Sequence, residues 1–258
     1  MTLIPRPLDL FETFRGGGLQ IAYQGQWDLD ASWDEGFLVS PPVAVEALSR
    51  WNHPELGGVS PEEFIPLAEQ GGFLDAIDAD VLSRAATQVA TWSNAGHEVT
   101  LSVNAAPSHF SSSYVEDAIR ISQSRGLDLS ALTIEITETP APQLHESMRA
   151  ALEELRSAGV SVSIDDFGAG GTTLDMLQNL PIDEVKLDRS LVQRSDADAD
   201  AIIDDVVSAA RENRWRVVAE GIETTTDLER SVRRGCHRGQ GFLWGPPVEA
   251  PAMELALV

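Results

Sequence analysis

The stretch Val160-Ser161-Val162-Ser163-Ile164-Asp165-Asp166-Phe167-Gly168-Ala169-Gly170-Gly171 reads as a short β-branched strand running into two adjacent carboxylates and then into a glycine loop. A buried carboxylate is costly unless it is paired or bound to a metal, so two in a row at the exit of an apolar strand suggest a cation. A strand-ending Asp also serves as the cap of a following helix. The rest of the chain has to decide between these readings.

Working outward, the same unit recurs. A short amphipathic helix around Leu8 to Phe14 and the turn Gly16-Gly17-Gly18 precede a first strand from Leu19 to Tyr23, and an irregular polar loop follows from about Trp27 to Pro42. Val43 to Leu48 is a second strand, and Ser60-Pro61-Glu62-Glu63 has the pattern of a capped helix start. Ile77, Val81, Leu82, Ala85, Ala86, Val89 and Trp92 recur at helical spacing between Asp75 and Ala95. Strands at Val99 to Asn104, Leu132 to Ile136, the opening stretch, Glu184 to Leu187, Arg216 to Glu220 and Gly239 to Leu243 then alternate with helices. Those helices fall near Val115 to Arg125, Leu144 to Ala158, Leu174, Ala201 to Arg211 and Thr226 to Arg234. Such alternation predicts a parallel sheet covered by helices. A closed α/β barrel, which commonly takes about 250 residues, is favoured over an open doubly wound sheet, because no Gly-x-Gly-x-x-Gly turn follows the first strand.

Composition narrows the function. The 258 residues are 43% hydrophobic and 23% charged, as expected of a globular protein able to bury a core. The net charge of -23 argues against binding to a nucleic-acid polymer or an anionic membrane, and an anionic substrate would need local cations. Most acidic residues, the run Asp196-Ala197-Asp198-Ala199-Asp200 above all, read as solubilising surface. One cysteine, Cys236, excludes an intrachain disulfide and fits a reducing compartment. With no transmembrane-length apolar stretch and no signal-peptide pattern, no membrane insertion and a cytoplasmic location are expected.

An α/β barrel builds its site at the C-terminal ends of its strands. Polar residues follow that distribution here: Glu46 interrupts its strand, Glu135, Lys186 and Gln240 lie in theirs, and Asn104, Asp165 with Asp166, and Glu220 end theirs. Each alone reads first as a solvated strand end or a satisfied core polar group. Together they supply hard oxygen donors without His or Cys, a set suited to Mg²⁺ or Mn²⁺, and Asp165 is placed to bridge two ions. Lys186 is the candidate to orient water or steady developing charge; its bland alternative is a salt bridge to Asp183 or Asp188.

Glu46-Ala47-Leu48-Ser49-Arg50-Trp51 resembles the signature of the EAL family of cyclic-di-GMP phosphodiesterases, and further motifs follow in family order. They are Tyr23-Gln24, Ser60-Pro61 with Phe64-Ile65-Pro66 and Glu69, Val103-Asn104, Glu135-Ile136-Thr137-Glu138 and Asp165-Asp166-Phe167-Gly168. Leu180-Pro181-Ile182-Asp183, Lys186-Leu187-Asp188, Ala219-Glu220-Gly221-Ile222-Glu223-Thr224 and Gln240-Gly241-Phe242 complete them. The resemblance implies a modified (β/α)8 TIM-type barrel with an antiparallel first strand; because it covers nearly the whole chain, a single domain over 1–258 with an N-terminal helix and turn over 1–18 and no separate sensor or cyclase domain is expected. It implies hydrolysis of cyclic-di-GMP to linear pGpG with two divalent cations, Mg²⁺ or Mn²⁺, and a homodimer. By the same resemblance, Glu46, Asn104, Glu135 and Asp165 would hold one metal, and Asp165 with Asp166 the second. Glu220 would serve the second metal or its water, with Lys186 and Glu46 in the catalytic group. Gln24, Arg50 and Asp188 would meet the substrate, while Glu138, Glu223 and Gln240 would support the ligands from behind.

The chain departs from the family pattern at Gly25, where proline is usual, and at His237, where aspartate is frequent. It also departs in a longer loop near Trp33 and at Ala169-Gly170-Gly171-Thr172-Thr173, which lacks the usual aromatic. The added glycines raise the loop's conformational entropy, so ordering the second metal's surroundings is expected to cost more. The alternative function is a receptor that binds cyclic-di-GMP without cleaving it and acts through a protein partner.

Overall fold

Strands whose residues alternate between apolar and polar can bury one set under helices and turn the other inward, and the chain does this around a closed ring. The computed structural model describes residues 5–29, 40–106, 110–137 and 146–258. The first half runs through α1 (Pro7–Arg15), β1 (Leu19–Asp28), β2 (Ala44–His53), β3 (Gly57–Val59), α2 (Pro61–Gly71), α3 (Leu74–Asn94), β4 (Thr100–Ala105), α4 (Ser112–Ser124) and β5 (Leu132–Thr137). The second half comprises α5 (Glu146–Ser157), β6 (Ser161–Phe167), α6 (Leu174–Gln178), β7 (Glu184–Leu187), α7 (Arg189–Val192), α8 (Ala197–Asn213), β8 (Arg216–Ala219), α9 (Thr225–Arg233), β9 (Arg238–Gly239) and α10 (Ala250–Ala256).

The sheet order is β1-β9-β8-β7-β6-β5-β4-β2-β3, and a β1–β2 pairing closes the barrel while β3 hangs from β2 as a hairpin. β1 is antiparallel to both β2 and β9, whereas β2 and β4 to β9 run parallel to one another. This is the modified (β/α)8 barrel expected. The outward residues of the central strands, Leu101, Leu132, Ile134, Val162, Ile164, Val185, Leu187 and Val217, are fully buried beneath the helices. The helical positions read from α3 are all buried too. Beneath the rim the inward residues stay polar: Ser102, Thr133, Ser163 and Glu184 are buried.

Several local readings change. The last strand shrinks to Arg238–Gly239, because Gly241 turns against the backbone of Ile222, where an added Cβ would lie 2.2 Å from the Ile222 carbonyl oxygen. The Ser60 hydroxyl does not cap α2 and instead lies 3.5 Å from the Glu63 carboxylate. The acidic run is more than surface charge: Asp196 caps α8 by accepting from the Ala199 N–H at 3.1 Å, with Asp198 and Asp200 in its first turn. Among the described residues no helix is long and apolar enough to cross a membrane.

Truncating Ile134, fully buried on β5, to Ala should cost about 2–5 kcal/mol. Ile202→Ala, at a position 40% exposed, should stay within about 0.5 kcal/mol. Urea unfolding midpoints at unchanged m-value check both; similar losses at the two positions would contradict this division between core and surface.

Candidate active site

The chain's only lysine, Lys186, is fully buried in the middle of β7. Its side chain points into the barrel, where Nζ lies 2.8 Å from Glu135 Oε2, 2.8 Å from Glu220 Oε1, 3.0 Å from Asp165 Oδ1 and 3.3 Å from Glu46 Oε2. One ammonium therefore ties carboxylates of β2, β5 and β6 to the residue that follows β8. The expected sequence neighbours are otherwise engaged: Asp183 pairs with Arg156 at 2.8 Å, and Asp188 caps α7 through the Ser190 N–H at 2.8 Å.

Glu46 is held on both oxygens. Asn104 Nδ2 donates to Oε1 at 2.7 Å and Gln240 Nε2 to Oε2 at 2.7 Å, while Gln240 also donates to Gln24 Oε1 at 3.1 Å. Gln24 sits opposite Glu46 in the β1–β2 register, so antiparallel pairing carries it to the same level of the barrel.

Asp165 and Asp166 present a geometric problem, since successive residues of a regular strand point to opposite faces. The β6–β7 register shifts between Ile164 and Phe167, and Asp166 takes φ 60°, a left-handed conformation that Asp tolerates better than most residues. This kink brings ligand oxygens of Asp165, Asp166 and Glu220 within 4.8 Å of one another, and a second such trio joins Glu46, Glu135 and Asp165.

The electrostatics are those of too many anions around one cation. Burial pushes Glu135 and Glu220 well above the ordinary carboxylate range, and burial also raises Asp165 against the pull of Lys186. Asp166 rises to about 6 through burial and then the neighbouring Asp165 charge. For Glu46, burial is outweighed by Lys186 and by the bonds from Gln240 and Asn104, so its carboxyl falls below its usual value. Burial would discharge Lys186, but Asp165, Glu135, Glu220 and Glu46 hold its ammonium well above 10.5. Divalent ions fit this donor set: the ligands are all oxygen, and Glu135 Oε1 is buried with no hydrogen-bond partner among the described residues.

The remaining residues line or flank the mouth. Arg50 is half-buried and donates to the Ser49 carbonyl oxygen at 2.9 Å. Glu223 forms a 2.9 Å ion pair with Arg189, the salt-bridge alternative for a strand-end acid. Glu138 and the long loop near Trp33 lie outside the described residues. A cleft of about 210 Å³ adjoins the acids, bounded by Gln24, Glu220, Glu223 and Gln240 together with Arg189 and Phe242. Arg189 was not singled out from sequence: the Arg after Lys186-Leu187-Asp188 carries no signal until folding sets it against Glu223. Phe242, 59% exposed in the Gln240-Gly241-Phe242 motif, was legible as part of that motif.

Because Lys186 is unique, lysine labelled with ¹³C at Cε alone should give one side-chain methylene carbon signal. In metal-free protein that signal should hold its ammonium shift through pH 10.5, since the folded value lies above the free one. A midpoint at or below 10.5 would contradict the four-carboxylate cluster.

The profile of the EAL domain family matches residues 9–247. The chain is 35% identical over 240 residues, 92% of its length, to the cyclic di-GMP phosphodiesterase PA2567 of Pseudomonas aeruginosa. It is 38% identical over 214 residues, 81% of its length, to the bifunctional diguanylate cyclase/cyclic di-GMP phosphodiesterase MucR of the same organism. It spans only 40% and 31% of those relatives' own lengths. The solved structure of the PaMucR phosphodiesterase in complex with c-di-GMP superposes with a TM-score of 0.85 at 33% identity, covering 95% of this chain and 98% of that one. The polar strand ends, the antiparallel first strand and these matches lead to one assignment: the chain belongs to the EAL domain family.

Proposed function

We propose that this chain hydrolyses cyclic-di-GMP to linear pGpG, using two divalent cations, Mg²⁺ or Mn²⁺. The observation that carries the reading is the convergence of Glu46, Glu135, Asp165, Asp166 and Glu220 with Lys186 at the C-terminal rim. Five carboxylates less one ammonium leave four formal negative charges, which two divalent cations would neutralise. Glu46, Asn104, Glu135 and Asp165 would hold one ion, and Asp165, Asp166 and Glu220 the other. When bound, such ions supply Lewis acidity toward a phosphoryl oxygen and make water a stronger acid.

The chain's own groups do the rest. Lys186, held as an ammonium, is a donor and not a base: its N–H groups orient the attacking water and steady charge as it develops on the phosphoryl group. Glu220, which lines the cleft, would be ionised in the metal-bound site and would take the water's proton at a carboxylate oxygen. Gln240 and Asn104 keep Glu46 fixed and ionised. Arg50, with its planar fork, and Gln24 meet the substrate phosphates and ribose, and Asp188 flanks them; Glu223 braces the mouth through Arg189. In the overall reaction the water oxygen bonds to phosphorus, the bond from phosphorus to the ribose 3′ oxygen breaks, and that oxygen gains a proton. A single catalytic domain over 1–258, a homodimer and a cytoplasmic setting belong to the same proposal, with sedimentation measuring the assembly.

Purified protein incubated with cyclic-di-GMP and Mg²⁺ or Mn²⁺ should yield pGpG by chromatography, and chelation should stop it. Absence of turnover with either metal would end the hydrolase reading; retained tight nucleotide binding in calorimetry would then favour the receptor. Glu46→Ala and Asp165→Asn should each lower kcat by more than about 100-fold, beyond the loss typical when a ligand's supporting partner is removed. Near-normal rates in both would mean that the ions bind elsewhere.

A further inference from the structure

Glu220 is the one site carboxylate that follows the last residue of its strand, so its position depends on what holds the chain beyond β8. Three bonds do so. The Glu220 N–H donates to the Leu187 carbonyl oxygen at 3.1 Å, and the Ile222 N–H donates to the Gln240 carbonyl oxygen at 3.1 Å. The third comes from outside the sheet: Gln193 Nε2 donates to the Gly221 carbonyl oxygen at 2.7 Å.

Gln193 is the residue that ends α7, and the structure fixes it from several sides. Its Oε1 accepts from Arg189 Nε at 3.3 Å, and its backbone carbonyl accepts from Arg230 Nη1 of α9 at 3.2 Å. Arg234, 7% exposed, donates to the Val192 and Arg194 carbonyl oxygens on either side, at 3.0 and 2.7 Å. Gly221 in turn has no room to shift toward α7: at φ +65°, an added Cβ would lie 2.4 Å from Arg189 Cβ. On its other side α7 meets the kinked loop, since a Cβ at Gly168 would lie 3.0 Å from Leu191 Cδ2, and the Asp188 N–H donates to the Phe167 carbonyl oxygen at 2.9 Å. The short helix is thus a strut between the chain just after Asp166 and the loop carrying Glu220.

We infer that Gln193 is a positioning residue for the metal subsite formed by Asp165, Asp166 and Glu220, acting through its bond to the Gly221 carbonyl oxygen. The inference rests on the metal-dependent reading above. No motif of the chain contains Gln193, and its effect passes only through the backbone after Glu220. Loss of a supporting bond behind a ligand typically weakens metal affinity 10–100-fold.

The test compares the full chain with Gln193→Met, which keeps the length and removes the donor, and with Gln193→Lys, which restores a donor at similar reach. Calorimetric titration with MnCl2 in the absence of nucleotide should show one binding step weakened roughly ten-fold or more in the Met variant and largely recovered in the Lys variant. In turnover, the Met variant should need more Mn²⁺ to reach half its maximal rate, with KM for cyclic-di-GMP within about two-fold of wild type. A Met variant whose Mn²⁺ isotherm superimposes on the wild type overturns the inference. So does a Lys variant as weak as the Met variant, or a loss matched by a lower melting temperature of the metal-free protein. If the wild type binds Mn²⁺ but leaves cyclic-di-GMP intact, the hydrolase reading fails while the isotherms still decide the role of Gln193; a wild type that binds no Mn²⁺ overturns both.

Discussion

A fully buried ammonium costs several kcal/mol in lost hydration unless its surroundings give that back, and here four carboxylates from four different strands do so. The dependence is mutual, because without Lys186 the same acids would repel one another at close range in a poorly solvated interior. Even with it, negative charge is in excess, which is why burial leaves Glu135, Asp165 and Glu220 inclined to hold protons when no metal is present. Lysine suits the position because a compact ammonium on a flexible stem can face several carboxylates at once, whereas the planar guanidinium of arginine favours one or two partners. Every other strong base in this chain is arginine.

Holding such a cluster requires a scaffold that is rigid elsewhere. The outward faces of β4 to β8 are almost wholly apolar and sealed by helices, so the strands cannot rotate to relieve the charge. The inward faces differ from the branched apolar filling usual for such barrels: Ser102, Thr133, Ser163 and Glu184 line the layer below the acids. Glu184 is answered by Arg216 on the adjacent strand, so the second buried carboxylate level has its own counter-charge. The reversed first strand contributes by direction, because running antiparallel beside β2 sets Gln24 opposite Glu46 and lets Gln240 join the two.

Much of this was legible in the chain. Alternating patterns located nearly every strand and helix, and the polar residue at each strand end was visible because it interrupts an apolar run. Boundaries failed where a local signal had a competitor. Asp196-Ala197-Asp198-Ala199-Asp200 has the composition of a solvated charge run, yet Asp196, though exposed, turns its carboxylate to the Ala199 N–H and caps α8. The four residues of α7 are too few to show periodicity, and α10 begins on a Pro-rich segment that reads as loop. Gly239 to Leu243 has strand-like residues, but only Gly239 lies in β9, and contact with Ile222 bends the backbone at Gly241.

Sequence by itself determined which residues face the centre, since the two-residue period of a strand assigns each polar end to one side, and it determined the ligand chemistry, since only oxygen donors and one lysine occupy those ends. Tertiary structure decided how they meet. Glu184 and Asp188, then Asp183, are the acids nearest Lys186 in sequence, but barrel closure delivers Glu46, Glu135, Asp165 and Glu220 instead, from as far as 140 positions away. The shift in register at β6 turned two neighbouring aspartates to one face, and a four-residue helix joined the loop after them to that of Glu220. These outcomes depend on distances between strands and on backbone angles at single residues, which no local pattern of side chains encodes.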